Sequence, residues 1–192
     1  MTRVLLVRCA SHERAGTLLG RNDAVGLSRQ GIIEATAVAL RLAQEGVTCI
    51  QSSPQRRAHE MAALAAARTG LDIVTVPALD DMDFGRWSGT PLIELERNDQ
   101  WCAWMRDRES RPSPGGESFS EVQKRIMKHL TDTFLRCPGE TVAMITHAEP
   151  MRMAILEQRS LPLGAYAQIT IAPASLFEIG DETRMPYFAA VA

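Results

Sequence analysis

The chain has 192 residues, which is enough for one domain with a sizeable core and too few for two ordinary ones. Hydrophobic residues make up 45% of it and charged residues 23%, a composition that excludes a disordered or fibrous protein. The formal net charge is −2, so an anion site needs a local group of arginines, and the charge argues against nucleic acid as a partner.

Strand-like runs alternate with helical patterns along most of the sequence. Aliphatic and β-branched runs predict strands at 3–8, 47–52, 71–76 and 141–146, and further short strands at 168–172 and 175–180. Apolar residues at helical spacing predict helices at 29–45, 54–69, 91–108, 118–136 and 150–158. The alternation is typical of an α/β fold, a three-layer sandwich with a mainly parallel central sheet, and we expect one domain over residues 1–192.

Two of the predicted helices have clear end signals. Ser28 stands at the N-cap position of the first helix, and Gly46 supplies a left-handed stop after it. Ser53 followed by Pro54 predicts an N-cap with proline at the first helical position of the second helix. Arg57 is therefore expected in the first turn of that helix.

Polar and reactive side chains follow the predicted strands at the points where the strands end. Parallel strands bring their carboxyl ends to one edge of the sheet, which is where ligands bind in α/β proteins. The residues predicted to meet there are Arg8, Cys9, Ser11 and His12; Ser52, Ser53 and Arg57; Asp80, Asp81 and Asp83; and His147. Two arginines, a histidine and a helix N-terminus together predict a pocket for a phosphate or a carboxylate.

Other features bear on compartment, cofactors and partners. The cysteines at 9, 49, 102 and 137 lack C-x-x-C spacing, which indicates reduced thiols and leads us to expect a cytoplasmic protein. The sequence has no apolar run of about 18 residues to suggest a membrane partner and no H-E-x-x-H spacing to suggest a metal. We expect no metal and no cofactor. A homodimer that pairs through an edge strand of the sheet is compatible with the sequence.

The segment 90–117 is expected to cover the pocket. Its charged residues include Arg97, Arg106, Arg108 and Arg111 beside Glu94, Glu96 and Asp99. Because these charges largely cancel, they do not specify a ligand.

Segments along nearly the whole chain resemble those of the histidine phosphatase superfamily, in the same order and at the same spacing. They read VRCA at 7–10, LSRQG at 27–31, SSPQRRA at 52–58, LDDMDFGRWSG at 79–89, PGGES at 114–118 and MITHAEPMRMAI at 144–155. The resemblance implies a phosphoglycerate mutase-like fold and a small phosphorylated ligand. It matches Arg57 to a phosphate-binding arginine, Asp81 to the proton donor and His147 to the second histidine of the family, and it implies no metal.

The chain departs from the family pattern at positions that carry chemistry. The family opens with Arg-His-Gly, whose histidine attacks the phosphoryl group, and here the same slot reads Arg8-Cys9-Ala10. The proton donor, normally glutamate, is Asp81, which is one methylene shorter. The pattern indicates altered chemistry on a retained scaffold, and mutase activity through a phosphohistidine is not expected.

Cys9 and His12 are the two candidates for a replacement nucleophile. A thiol beside Arg8, Arg57 and a protonatable histidine is expected to have a lowered pKa, and thiolates can attack phosphorus. A cysteine, however, reaches about 2 to 3 Å less far than a histidine, a misplacement that can cost orders of magnitude in rate. The distance argues against Cys9 as the nucleophile unless the ligand sits deeper, and the alternative is that Cys9 is a small buried residue at a strand end. His12 offers an imidazole three residues away, and it can also contribute to anion binding.

Three functions are compatible with this set of residues. The first is a divergent phosphomonoesterase in which Arg8, Arg57 and His147 hold the phosphoryl group, Asp81 protonates the leaving oxygen, and Cys9 or an activated water attacks. The second is a non-catalytic pseudophosphatase that binds a phosphorylated ligand. The third is a repurposed enzyme that uses the same groups for acid–base or thiol chemistry on another anionic substrate.

Overall fold

The computed structural model describes residues 1–109 and 111–180 and the backbone of 188–189. Within these residues a six-stranded sheet has four neighbouring parallel strands, followed by two strands that are joined to the sheet by antiparallel pairing. Their order is β4 (Ile73–Thr75), β3 (Cys49–Ser52), β6 (Thr141–Thr146), β1 (Arg3–Arg8), β7 (Leu176–Gly180) and β8 (Phe188–Ala189), with β7 antiparallel to β1. A separate antiparallel pair is formed by β2 (Thr17–Leu18) and β5 (Thr90–Pro91).

Helices cover both faces of the main sheet. They are α1 (Arg29–Gln44), α2 (Arg56–Thr69), α3 (Leu92–Leu95), α4 (Asp99–Arg106), α5 (Phe119–Arg136) and α6 (Ala148–Gln158). Side chains of β1 alternate between the two faces: Leu5 and Val7 pack with α1 and α2, whereas Val4 and Leu6 pack with α5 and α6. The predicted α/β fold with a mostly parallel central sheet is confirmed, and its helices form the two outer layers.

The second predicted helix begins two residues later than its sequence signal indicates. α2 starts at Arg56 with Gln55 as its N-cap, so the prediction of Ser53 as the cap and Pro54 in the first turn is wrong. The Ser53 hydroxyl instead accepts a hydrogen bond from the Gln55 amide at 3.2 Å, and it also contacts His147. The turn before the helix is thereby joined to the strand-end site.

Two other segments differ from the prediction. The helix predicted over 91–108 is interrupted between α3 and α4, because the Asn98 side chain accepts the Trp101 amide at 3.0 Å and caps a new helix. The run 168–172 is not a strand. Its backbone carbonyls at Ile169 and Ile171 accept hydrogen bonds from arginine side chains rather than from a neighbouring strand.

The prediction of one domain over 1–192 remains a prediction, since residues 110, 181–187 and 190–192 lie outside the described residues. Within the described part of the chain, no helix has both the length and the apolar character needed to cross a bilayer.

Gly31, in the first turn of α1, allows the loop after β1 to approach that helix closely. A Cβ atom at Gly31 would lie 1.8 Å from the Ser11 carbonyl oxygen. The Ser28 amide donates a hydrogen bond to the same oxygen at 3.0 Å, and the Ser28 hydroxyl caps the helix by accepting the Gly31 amide. Glycine at position 31 is thus required by the contact that holds the loop following Cys9.

Replacing Gly31 by alanine is expected to destabilise the protein, although alanine favours helices. The added methyl group collides with backbone, so we expect a loss of about 2–4 kcal/mol in the free energy of unfolding by urea. The matched control is Gln30→Ala, at an exposed neighbouring position of α1, with an expected change within about 0.5 kcal/mol. Equal stability of the two variants would contradict the contact.

Candidate active site

Cys9 and His147 lie side by side because their strands are paired in register. Arg8 at the end of β1 pairs with Thr146 at the end of β6, and the Cys9 amide donates to the Thr146 carbonyl at 2.8 Å. The next residue of each strand therefore reaches the same point at the carboxyl edge of the sheet. The distance between Cys9 Sγ and His147 Nδ1 is 3.4 Å.

Ser53, which follows β3, holds the other side of the His147 ring. Its Oγ atom lies 2.8 Å from His147 Nε2, and 3.4 Å from an oxygen of Asp80. The imidazole is 2% exposed, and its pKa is lowered well below the ordinary value by burial and by the positive charges of Arg57 and other arginines. His147 is consequently a neutral imidazole at neutral pH.

Arg57 occupies the first turn of α2, as predicted, and its side chain is buried. The guanidinium donates hydrogen bonds to the Gly20 carbonyl at 2.7 Å and to the Asn22 carbonyl at 3.0 Å. It also donates to Asp81 Oδ2 at 2.9 Å. Arg57 therefore joins α2 to two loops at the sheet edge, in addition to facing the site.

Asp81 is placed between Arg57 and His147. One of its oxygens accepts from Arg57 and lies 3.7 Å from His147 Nδ1, while the other accepts from the Met82 amide at 2.9 Å. Burial and the nearby carboxylate of Glu149 raise the pKa of Asp81 to about 7, against the lowering effect of Arg57. Asp81 thus exists in both protonation states near neutral pH.

The expectation that Cys9 has a lowered pKa is wrong. The thiol is 6% exposed, and burial, with a smaller contribution from the charge of Asp81, raises its pKa against the lowering effect of Arg57 and Arg8. The resting pair is a protonated thiol beside a neutral imidazole. The sequence predicts that arginines lie near Cys9, but it does not show that the Cys9 thiol is buried.

Arg8 and His12 face the same site. The Arg8 guanidinium donates to the Ile171 carbonyl. Nδ1 of His12 is buried and has no hydrogen-bond partner in the described part of the chain. The pKa of His12 is lowered by burial and by Arg57 and Arg8, so it can offer an N–H donor to a ligand but no charge at neutral pH.

The strand-end residues line a cavity of about 300 Å³. The lining includes six of the predicted site residues, namely Arg8, Cys9, His12, Arg57, Asp81 and His147. Ser53 and Asp80 support His147 and Asp81 from behind, and Ser11 is held by Glu34. The predicted anion-binding and catalytic residues are therefore brought together in one pocket.

Several residues of the cavity wall were not among the predicted site residues. They are Trp101, Trp104, Arg108, Phe119, Glu149, Arg152 and Tyr166. Glu149 and Arg152 lie in the first turns of α6, directly after His147. Their position close behind a strand-end residue could therefore have identified them as residues of the cavity wall. Tyr166 carried none, because it comes from a short 3₁₀ helix (Leu163–Gln168) that the sequence pattern did not predict.

No group of three or more histidine, cysteine, aspartate or glutamate side chains in 1–109 and 111–180 is arranged to hold a metal ion.

Comparison with known protein families gives one match over nearly the full length. The model of the histidine phosphatase superfamily (branch 1) matches residues 4–190. The chain belongs to this superfamily. The resemblance stated from the sequence motifs is thereby confirmed.

Curated relatives are identical to the chain at about a third of the aligned positions. A bifunctional protein of Mycobacterium tuberculosis is 33% identical over 159 residues, which cover 80% of this chain but 43% of that protein. The chain thus spans less than half the length of this relative. Phosphoserine phosphatase 1 of Hydrogenobacter thermophilus is 29% identical over 156 residues, covering 79% of this chain and 74% of the relative.

Solved structures of other proteins have the same fold. A mycobacterial glucosyl-3-phosphoglycerate phosphatase in complex with VO3 superposes with a TM-score of 0.85 at 22% identity, covering 97% of this chain and 96% of the other. YhfR of Bacillus stearothermophilus gives a TM-score of 0.86 at 22% identity over 100% of this chain and 96% of its own. These similarities confirm the phosphoglycerate mutase-like fold.

The raised pKa of Asp81 predicts a pH dependence of stability that Asp81→Asn removes. A carboxyl group whose pKa is higher in the folded than in the unfolded state stabilises the fold fully below about pH 4. That contribution is lost as pH rises through about 7. The stability of the natural protein relative to Asp81→Asn should therefore fall between pH 4 and pH 7.

Urea unfolding of both proteins across this range measures the difference. Taking the difference reduces the opposite contribution of His147, whose lowered pKa makes the fold lose stability as pH falls. Asp72→Asn, at an exposed position, is the control. A constant difference between the natural protein and Asp81→Asn would show that the pKa of Asp81 is not raised.

Proposed function

We propose that the protein hydrolyses phosphomonoesters of small metabolites and that the Cys9 thiol attacks phosphorus where relatives use a histidine. The observation that carries the proposal is the 3.4 Å contact between Cys9 Sγ and His147 Nδ1 at the wall of a cavity that also contains Arg8, Arg57 and Asp81. A thiol next to a base, arginines for an anion and a carboxyl with a pKa near neutrality are the groups that such a hydrolysis needs.

The names of related proteins support this class of substrate. One relative is a phosphoserine phosphatase and one structural neighbour is a glucosyl-3-phosphoglycerate phosphatase. A further structural neighbour, a phosphoserine phosphatase from Entamoeba histolytica with a TM-score of 0.84, is in complex with 3-phosphoglyceric acid. All are named for small phosphorylated metabolites, which suits a cavity of about 300 Å³.

Arg57 retains donors for a phosphate despite its structural contacts. A guanidinium has five N–H donors, and three of those of Arg57 are used by Gly20, Asn22 and Asp81. Two donors remain. Together with Arg8 they would hold the phosphoryl oxygens and stabilise the charge that develops on them.

The proposed reaction has two steps. In the first, the Sγ–P bond forms as His147 Nδ1 takes the thiol proton, the ester P–O bond breaks, and protonated Asp81 gives its proton to the leaving oxygen. In the second, water attacks phosphorus, the Asp81 carboxylate takes a proton from the water, and the S–P bond breaks. Cys9 then recovers its proton from His147, and phosphate is released.

Because a cysteine side chain is shorter than a histidine side chain, the proposal requires the phosphate to bind deeper in the cavity. Because a thiol ends about 2 to 3 Å closer to the backbone than an imidazole nitrogen, the phosphorus must approach Cys9 and Arg57 more closely than in a histidine-dependent relative. The side chains of Cys9 and Arg57 both line the cavity, which would give the phosphate access to this depth.

A second candidate function is binding without turnover. It is favoured by the resting state of the pair, since burial keeps the Cys9 thiol protonated and the His147 ring neutral. A repurposed enzyme with thiol chemistry on another anion would use the same pocket. These alternatives differ from hydrolysis in whether phosphate is released and whether release depends on the thiol.

The hydrolysis proposal predicts that Cys9→Ser lowers phosphate release by about 100-fold or more, because a hydroxyl is a far weaker nucleophile without a stronger base. Release from phenyl phosphate is measured for the natural protein, Cys9→Ser, Cys9→Ala and Cys9→His. The matched control is Cys49→Ser, at the opposite end of β3, with release expected within twofold of the natural protein.

Three outcomes separate the candidates. Release that depends on Cys9 and not on Cys49 supports the thiol nucleophile. No release by the natural protein, with release by Cys9→His, overturns hydrolysis and leaves a binding site that lacks its nucleophile. Release that is unchanged in Cys9→Ala also contradicts the proposal. Arg57→Ala is a poor test, since it leaves Asp81 buried without its partner.

A further inference from the structure

The two ring nitrogens of His147 face different partners, so the position of the ring proton decides what the imidazole can do. Nδ1 lies 3.4 Å from Cys9 Sγ, and Nε2 lies 2.8 Å from Ser53 Oγ. The ring is neutral at neutral pH, because burial and nearby arginines lower its pKa. A neutral imidazole has one N–H donor and one bare nitrogen that accepts. His147 can take the proton of the thiol only when Nδ1 is the bare nitrogen.

The contacts of the Ser53 hydroxyl indicate which nitrogen carries the proton. Its Oγ atom accepts a hydrogen bond from the Gln55 amide at 3.2 Å, and it lies 3.4 Å from Asp80 Oδ1 as well as 2.8 Å from His147 Nε2. A hydroxyl has one hydrogen to donate and two lone pairs that accept. If the hydrogen points to Asp80, the remaining lone pair accepts a proton-bearing Nε2, and all three contacts are favourable.

Asp80 is held so that Oδ1 faces Ser53 as an acceptor. Oδ1 accepts hydrogen bonds from Gln55 Nε2 and from the Asp81 amide, both at 2.8 Å, and Oδ2 lies 3.5 Å from Arg21 Nε. An oxygen that accepts two N–H groups has no hydrogen of its own to give to Ser53. Its negative charge attracts the hydroxyl hydrogen of Ser53 and turns it away from His147. Asp80 therefore acts on the imidazole through Ser53.

The contacts on the Nδ1 side agree with this assignment. Burial keeps the Cys9 thiol protonated, so its S–H group needs an acceptor, and His147 Nδ1 lies within reach. Asp81 is the group that would favour a proton on Nδ1. Its Oδ2 atom, however, is 3.7 Å from Nδ1, which is too long for a hydrogen bond, and it already accepts from Arg57 at 2.9 Å.

We propose that Ser53 and Asp80 are positioning residues that hold His147 as the Nε2–H tautomer, so that Nδ1 is free to accept the proton of Cys9. The inference rests on the proposed function for its role in hydrolysis, where the S–H bond breaks and the Nδ1–H bond forms. The imidazolium that results keeps its Nε2–H bond to Ser53, and the charge of Asp80 stabilises it. The residues that line the cavity include neither Ser53 nor Asp80, so both act through His147.

Nuclear magnetic resonance of the full chain with ¹⁵N-labelled histidine measures the tautomer directly. A ring nitrogen that carries a proton and a bare ring nitrogen have well separated ¹⁵N shifts. The signals of His147 are those that disappear in His147→Gln, which distinguishes them from the signals of the other three histidines. At neutral pH we expect a proton on Nε2 and a bare Nδ1 in the natural protein.

Variants of the two positioning residues assign the cause. Ser53→Ala removes the acceptor of Nε2–H and should move the proton to Nδ1 in about half of the molecules or more. Asp80→Asn keeps the shape and removes the charge, and it serves if Ser53→Ala does not fold; a measurable Nδ1–H population is expected. Ser53→Thr keeps the hydroxyl and should keep the Nε2–H form. The matched control is Ser52→Ala, which removes a neighbouring buried hydroxyl that donates to the Ser53 carbonyl, with the His147 signals unchanged.

The kinetics of phenyl phosphate hydrolysis test the role of the tautomer in the reaction. Ser53→Ala should lower kcat by about tenfold or more, because much of the protein then has a proton on the nitrogen that must act as the base. KM should stay within about twofold, since Ser53 does not line the cavity. Ser53→Thr should restore most of kcat. A general loss of structure would raise KM as well and would not be reversed by threonine.

The outcomes separate this inference from the function on which it rests. A proton on Nδ1 in the natural protein overturns the inference, whatever the activity. An Nε2 proton that stays in place in both Ser53→Ala and Asp80→Asn overturns it too, because another group then sets the tautomer. If the tautomer shifts in Ser53→Ala and kcat does not fall, the role in the reaction is overturned. If the natural protein releases no phosphate and the tautomer responds as expected, the proposed function fails and the tautomer assignment is supported.

Discussion

The buried pair of Arg57 and Asp81 is the interaction on which both the fold of the strand-end loops and the site depend. Arg57 is 2% exposed, and its three hydrogen bonds connect α2, the loop at Gly20 to Asn22, and the segment after β4. Removing the Arg57 side chain would leave the Gly20 and Asn22 carbonyls and the Asp81 carboxyl without their donor, and each buried polar group left without a partner costs about 1–3 kcal/mol. The same side chains face the cavity, so structural support and function are not separable here.

This constraint explains the unusual charge states of the site. A buried arginine beside buried groups lowers the pKa of His147 and His12, and it opposes but does not overcome the effect of burial on Asp81 and Cys9. The result is a site that is neutral at its reactive pair and positive around it. In the proposed function, this arrangement would place a phosphate among the arginines and beside the thiol.

The positions of Cys9 and His147 could be predicted from the sequence, because aliphatic runs locate strands and parallel register aligns the residues that follow them. The protonation states could not, since they depend on burial, which arises from loops far apart in the chain. The structural role of Arg57 could not be predicted for a similar reason. Two of its hydrogen-bond partners are backbone carbonyls, and every residue has a backbone carbonyl, so the sequence does not identify them.

The charge that the segment 90–117 places at the cavity could not be predicted from the sequence either. Counted along the sequence, its arginines and acidic residues largely cancel. In the structure Arg111 pairs with Asp107, whereas the Arg108 side chain contacts Tyr166 and lines the cavity. A segment whose charges nearly cancel therefore places a positive charge at the site. The helix prediction over 91–108 failed at Asn98, whose cap both breaks the helix and directs α4 toward the cavity wall.

The most direct test of the central claim, that the Cys9 thiol is the nucleophile, is to trap the covalent intermediate. In Asp81→Asn an aryl phosphate can still react, because its leaving group needs no proton, while the intermediate lacks the base that activates water. After rapid denaturation and tryptic digestion, tandem mass spectrometry locates the phosphoryl group within the peptide from Cys9 to Arg14, which also contains His12. We predict the phosphoryl mass on Cys9. Its presence on His12, or phosphate release without any phosphorylated peptide, would contradict the account.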